Sequence, residues 1–295
     1  MSKVGFIGVG TMGCPMASNI ISKGNDLKFY DPYVHDENKS KLENLGAQYC
    51  TSIKDLLDDS EFVITMLPNG NNVKDVCMGE DGLLKQDKND YIHIDMSTIL
   101  PADSIAINKQ FESHNIKMFD APVARLVNNA IDGTLLILVG GDKDKFEEIK
   151  PLLETMGSDV VYCGSSGSGS KMKIINNYMS IVSNIVTAET LSLVERSGID
   201  LNLAINLLTT TAAGKGHLNV SYPIKVLKND VSPGFKNTLA LKDLKLALEQ
   251  GELEGIDLST GKSALKIYEG ADKTNYKDLD WTSMFNYMKE INKID

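Results

Sequence analysis

Lys173, Asn176, Asn177 and Ser180 stand at i, i+3, i+4 and i+7, so on a helix they share one face. A lysine ammonium on such a face can stabilise a developing alkoxide and give it a proton, while the amides and hydroxyl one and two turns on can hold a substrate oxygen or an anionic tail. Met172, Ile174, Ile175, Tyr178, Met179, Ile181 and Val182 fill most of the remaining circumference, which predicts a helix buried on its other sides. The alternative is a structural hydrogen-bond seam. A seam needs no ammonium, and lysines are seldom buried unless paired or employed.

The second constellation is Gly8-Val9-Gly10-Thr11-Met12-Gly13, between the apolar run Val4–Ile7 and a stretch of helical spacing from Pro15 to Ile21. In that context the first glycine allows a tight turn, the second lets backbone approach a pyrophosphate, and the third lets helix and strand pack closely. Asp31 follows the strand-like run Leu27–Tyr30, 18 residues past Gly13. An acid there accepts hydrogen bonds from a ribose 2′-OH and repels a 2′-phosphate, so NAD is expected rather than NADP, for which Lys39 or Lys41 would have to supply the cation; the alternative is that Asp31 merely opens a turn with Pro32. The runs 62–67 and 91–95 also end in polar turns, at Pro68-Asn69-Gly70 and Met96-Ser97-Thr98. Ligands bind outside the carboxyl ends of parallel strands, so Leu67, Pro68, Asn69 and Thr98 are candidates to flank the cofactor, Ser97 and Thr98 being alternatively helix caps.

Two domains are expected from these elements and from 295 residues. Strands and helices alternate up to the Gly/Ser run at 164–170, and the rest reads as helix. The boundary is set at 1–164 for an α/β dinucleotide-binding domain and 165–295 for a helical domain that begins with the long helix. A net charge of −10 with no basic stripe argues against nucleic acid. Cys14, Cys50, Cys77 and Cys163 are scattered, without metal-ligand spacing or a C-x-x-C pair, so no metal is expected. No apolar run approaches membrane-spanning length and no leader-like segment opens the chain, so the expected location is cytoplasmic. Of 30 basic residues only Arg125 and Arg196 are arginine, and Arg125 sits in the loop after Phe119-Asp120-Ala121-Pro122-Val123.

The motifs G-V-G-T-M-G (8–13), M-L-P-N-G (66–70), D-M-S-T (95–98), D-A-P-V (120–123), G-T-L-L-I-L-V-G-G (133–141) and K-I-I-N-N (173–177) resemble, in order, the 3-hydroxyisobutyrate dehydrogenase type of β-hydroxyacid dehydrogenase. The resemblance covers the whole chain. It implies an α/β fold with a Rossmann-type N-terminal dinucleotide-binding domain, joined by a long interdomain helix to an all-α C-terminal domain for substrate and oligomerisation, in a homodimer or homotetramer. It further implies Lys173 as acid/base, Asn177 as holder of the substrate oxygen, and Lys242 as a second lysine near cofactor and substrate. For Lys242 the alternative is a helix-surface charge beside Asp243.

N-N-Y-M-S at 176–180, the run Thr210–His217, Lys242-Asp243-Leu244 and Asp280-Trp281 narrow the resemblance within the family to the branch acting on a sulfonate. The activity so implied is NADH-dependent reduction of 3-sulfolactaldehyde to 2,3-dihydroxypropane-1-sulfonate, a step of sulfoglycolysis. The implied alternative is a carboxylate substrate such as 3-hydroxyisobutyrate, 4-hydroxybutyrate or tartronate semialdehyde; a catalytically silent dinucleotide-binding protein is the reading from another class. The family loop D-A-P-V-S-G-G is replaced here by one continuing Ala124-Arg125-Leu126. A guanidinium fork can give two donors to a three-oxygen anion, so Arg125 is the expected sulfonate clamp, with Asn176 and Ser180 donating to the same group and Thr98 near the substrate. A surface ion pair is the alternative for Arg125. The small hydroxyl residues expected after it are replaced by Leu126 and Val127, which makes that side of the pocket less polar.

Overall fold

The short apolar runs of the first half become strands because each is flanked by a turn signal and holds β-branched or aromatic residues that fill both faces of a covered sheet. In the computed structural model these are β1 (Lys3–Ile7), β2 (Asp26–Tyr30), β3 (Gln48–Tyr49), β4 (Phe62–Thr65), β5 (Ile92–Asp95) and β6 (Lys117–Asp120). They pair in the order β3-β2-β1-β4-β5-β6, all parallel. The order reverses between β1 and β4, which opens the crevice where a doubly wound fold takes its ligand. The structure describes residues 1–216, 221–238, 240–241, 244–245, 248, 252 and 255–293.

Two further strands, β7 (Val123–Ala124) and β8 (Leu135–Gly140), are antiparallel to each other, β8 also pairing antiparallel with β6, and β9 (Gly157–Gly164) runs parallel to β8. The helices α1 (Gly13–Ser22), α2 (Asp36–Asn44), α3 (Ile53–Leu57), α4 (Gly70–Met78), α5 (Pro101–Ser113), α6 (Val127–Ile131) and α7 (Phe146–Leu153) complete this half. Side chains alternate along the strands into two apolar clusters. One gathers Phe6, Met16, Ile20, Phe29, Ile64 and Phe119; the other gathers Ile7, Leu56, Val63, Leu83 and Phe111.

The long helix α8 spans Ser168–Arg196. Its first turn is fastened to the sheet by the buried carboxylate of Asp120, which accepts from Gly167 N and Ser170 N at 2.7 Å each. Gly169 is required there, because a Cβ would overlap the Leu138 carbonyl oxygen. The chain forms two compact units, Met1–Tyr178 and Met179–Asp295, and the division between them falls inside α8. A helix docked by its first turns belongs with the unit it docks on.

Ile175 is 60% exposed, with Met172 and Ile174 also exposed, while the side chains of Tyr178, Met179, Ile181 and Val182 lie outside the described residues. The sheet holds this end of the helix through Gly169 and Ser170, and an apolar pattern specifies that a face wants covering without specifying what covers it.

The second unit contains α9 (Leu201–Thr209), with Asp200 as its N-cap accepting from Leu203 N at 2.8 Å, then α10 (Ala212–Lys215) and the helices Ser259–Asp272 and Met284–Ile291. Asp280 ties the bend at 234–235 to the 3-10 turn Trp281–Ser283 that precedes the last helix. Its Oδ2 accepts from Gly234 N and Phe235 N, and its Oδ1 from Thr282 N and Oγ1. Trp281 packs edge-on against Phe235 at 5.2 Å between ring centroids. The Asp280-Trp281 pair is thus an anchor for the chain's end.

Candidate active site

The glycine motif forms a cleft of about 630 Å³ whose wall includes Gly8, Gly10, Thr11, Met12, Gly13, Asp31, Leu67 and Pro68. Gly8 has φ +93° and Gly13 leaves no room for a Cβ, which would overlap the Gly8 carbonyl oxygen. A Cβ on Gly10 would instead meet open space, so backbone faces the cleft directly. The N-cap residue of α1, Met12, offers no side-chain acceptor to the first-turn N–H groups. Within that turn Cys14 N donates to the Gly10 carbonyl at 3.0 Å and Pro15 carries no N–H, so it is the bare Gly10 backbone beside a helix N-terminus that fits a pyrophosphate.

Asp31 is held at the cleft by two main-chain donors, Val9 N to Oδ2 at 3.0 Å and Tyr33 N to Oδ1 at 2.9 Å. The first of these couples the acid to the glycine loop itself. Each carboxylate oxygen retains a lone pair for a ribose hydroxyl. Sequence reasoning did not find that the same wall also carries Tyr33, His35, Asp75 and Asp81. Asp75 and Asp81 come from the segment after β4, and nothing local in the sequence marks them as neighbours of Asp31. Among the described residues this wall carries three acids and no lysine or arginine, so a 2′-phosphate would meet repulsion from Asp31, Asp75 and Asp81. Replacing Asp31 by Ala is expected to lower kcat/KM for NADH by about 100-fold, the worth of two hydrogen bonds to a charged group. NADPH should not become the better cofactor, because Asp75 and Asp81 remain. Steady-state kinetics with both cofactors decides it, and an unchanged NADH value would remove Asp31 from the site.

Lys173 lies one turn beyond the Asp120 tether on α8 and is partly buried. Burial lowers its pKa from the ordinary lysine value. A lysine so placed gives up a proton more readily than one in water. Asn176 is exposed and Asn177 partly buried; Asn176 Nδ2 donates to Asn177 Oδ1 at 3.3 Å. The helix therefore presents Lys173, Asn176 and Asn177 on one face, as their spacing predicts. Ser180 follows on the same helix, and its side chain lies outside the described residues, as do Lys242 and His217 entirely.

Thr98 is exposed directly after the buried Ser97, and it is not part of the wall that Leu67 and Pro68 line.

Arg125 has a different setting from the one its residue type suggested. Its guanidinium donates to Asp159 Oδ2 at 2.6 Å, to Ser158 Oγ at 2.8 Å and to the Thr134 carbonyl at 2.6 Å. The surface ion pair is thus present. Asp159 has a lowered pKa, owed first to the Ser158 hydroxyl and then to Arg125. Both partners are substantially exposed, and such pairs contribute little to stability. The backbone of Arg125 is less ordinary, for at φ +80° it occupies the left-handed region that favours glycine. A long side chain is kept there against its conformational preference, and residues held in that way cluster at functional sites.

Comparison with known proteins places the chain among dehydrogenases. Residues 3–164 match the model for the NAD binding domain of 6-phosphogluconate dehydrogenase, and residues 167–288 match that for NAD-binding of NADP-dependent 3-hydroxyisobutyrate dehydrogenase. The 3-sulfolactaldehyde reductase of Escherichia coli K12 is 38% identical over 98% of this chain and 96% of its own. The mitochondrial 3-hydroxyisobutyrate dehydrogenase of Mus musculus is 36% identical over 97% and 87%. The structure of Mycobacterium tuberculosis 3-hydroxyisobutyrate dehydrogenase with L-serine superposes with a TM-score of 0.67 at 29% identity, covering 98% of this chain and 99% of that one. No helix among the described residues is long and apolar enough to cross a membrane.

Proposed function

The chain belongs to the 3-hydroxyisobutyrate dehydrogenase family of NAD-dependent hydroxyacid dehydrogenases, and on that premise we propose that it reduces a three-carbon sulfonate aldehyde, 3-sulfolactaldehyde, to 2,3-dihydroxypropane-1-sulfonate. NADH, when bound, supplies the hydride. The reading assigns the proton to Lys173, whose ammonium lies at the carbonyl oxygen, stabilises the charge that develops there and protonates it, returning to the ammonium form from solvent. Asn177 holds the same oxygen. Asn176, Ser180 and Arg125 receive the sulfonate, and Lys242 and Thr98 complete the substrate and cofactor contacts.

The observation that carries the sulfonate rather than a carboxylate is Arg125, an arginine retained at φ +80° in the loop after β7. To engage a substrate anion its fork exchanges Asp159 for the sulfonate, an exchange that sacrifices only an exposed pair. The 38% identity to a 3-sulfolactaldehyde reductase supports the same substrate. Residues 1–164 act as the cofactor domain and 165–295 as the substrate and oligomerisation domain of a cytoplasmic homodimer or homotetramer. The test is stoichiometry: NADH consumption and formation of the sulfonate diol, the latter identified by mass spectrometry, should be one to one. Consumption of NADH without that product would reject the substrate assignment.

A further inference from the structure

The carboxyl ends of β4 and β5 are joined by a buried polar relay that the reaction above does not use. Thr65 and Asp95 are register partners, the last residues of their strands. Thr65 Oγ1 donates to Asp95 Oδ1 at 2.8 Å, and Ser97 N donates to the same oxygen at 3.2 Å. Ser97 Oγ in turn accepts from Leu67 N at 2.9 Å. On the other side Thr65 Oγ1 lies 3.0 Å from His93 Nε2, and the His93 ring stacks on Phe111 at 4.6 Å. Because the Thr65 proton is directed at Asp95, its oxygen accepts from His93, which fixes the ring as the Nε2–H tautomer. Thr65, His93, Asp95 and Ser97 are all at most 1% exposed.

The relay is incomplete as a stabilising network. Among the described residues His93 Nδ1 and Asp95 Oδ2 have no hydrogen-bond partner. Burial pushes the His93 pKa down to about 3 and raises that of Asp95, against the hydrogen bonds from Ser97 and Thr65. Unpartnered buried polar atoms destabilise a fold, and apolar residues of similar shape would serve it at least as well. Stability therefore does not explain these residues. Their placement does, since the relay ends on the amide of Leu67, and Leu67 and Pro68 form the wall of the cofactor cleft.

We propose that Asp95 and Ser97 are positioning residues, which hold the Leu67–Pro68 turn after β4 in fixed register with Thr98 after β5, and so set the nicotinamide half of the cofactor cleft. This rests on the reading that Leu67, Pro68 and Thr98 flank the nicotinamide. Both hydrogen bonds accepted by Asp95 go to one oxygen, so an asparagine can keep them with its carbonyl and place its amide at the partnerless Oδ2 position. Position, and not charge, is what the relay supplies.

The test uses Ser97→Ala, Asp95→Ala and Asp95→Asn in the full chain. Hydrogen exchange of the Leu67 amide in the free protein should accelerate at least tenfold in Ser97→Ala and Asp95→Ala and stay near wild type in Asp95→Asn. Affinity for NADH, followed by its fluorescence, should fall about tenfold in the two alanine variants, while affinity for ADP-ribose, which lacks the nicotinamide, should be unchanged in all three. Equal loss for NADH and ADP-ribose would overturn the proposal by showing general damage to the cleft, and Asp95→Asn behaving like Asp95→Ala would overturn it by showing that charge is needed. These readouts require no aldehyde, so they stand apart from a failure of the substrate assignment.

Discussion

Replacing Lys173 by Ala is expected to lower kcat for aldehyde reduction by about 10³-fold, within the range for removal of a proton donor that also stabilises developing charge. NADH affinity should change by less than about twofold, because the cleft is made by the glycine loop, Asp31 and the turns after β1 and β4, not by α8. The helix itself should survive, since alanine is the best helix former and Asp120 holds its N-terminus from outside the substituted turn. Lys173→Ala with near-normal kcat would remove the lysine from the chemistry.

The same residue predicts a pH dependence. The folded environment disfavours the ammonium through burial, so its pKa lies below the ordinary lysine value. Reduction needs the protonated form, so its rate should hold on the acid side of that lowered pKa and fall as pH rises through it. Alcohol oxidation needs the free amine and should rise over the same range. The stability sign runs likewise: the unfolded chain binds the proton more tightly, so the penalty for burying Lys173 is present below the folded pKa and is relieved as pH rises towards the unfolded value.

The second large effect concerns Arg125. Arg125→Ala is expected to raise KM for 3-sulfolactaldehyde by about 100-fold, as loss of a charge-assisted bidentate contact would, and to change KM for an uncharged short aldehyde by less than about twofold. Arg125→Lys should recover only part of the loss, because an ammonium cannot present the planar fork. The exposed pair with Asp159 gives a further control: Asp159→Asn frees the guanidinium and should lower KM for the sulfonate slightly or leave it unchanged. If Arg125→Ala raised KM equally for charged and uncharged aldehydes, the arginine would be a loop-stabilising residue only, joined to Ser158 and Asp159.

What the sequence showed plainly was local. The glycine run, the strand before it and Asp31 after β2 are set by short-range rules of turn and strand, and they meet in one cleft as those rules require. Lys173, Asn176 and Asn177 share a face because helical spacing is fixed. What the sequence concealed was non-local. Asp159 is 34 residues from Arg125 and reaches it only because β9 pairs with β8, which also pairs with β7. Asp75 and Asp81 join Asp31 only through the crossing of β4 beside β1. D-M-S-T was visible as a motif, yet the link from Asp95 to Thr65 follows from the β4–β5 register, which no single segment encodes. The long helix illustrates a different limit, since its apolar circumference predicted burial and Ile175 is exposed.

The central claim is that this family member reduces an anionic aldehyde that Arg125 selects as a sulfonate. Measuring kcat/KM of the wild-type protein with NADH for 3-sulfolactaldehyde beside succinate semialdehyde and methylmalonate semialdehyde tests it most directly. A preference for the sulfonate of about 100-fold, worth roughly 2.7 kcal/mol, is the predicted result. Equal values, or a preference for either carboxylate, would contradict it and leave the chain a hydroxyacid dehydrogenase of carboxylate substrates.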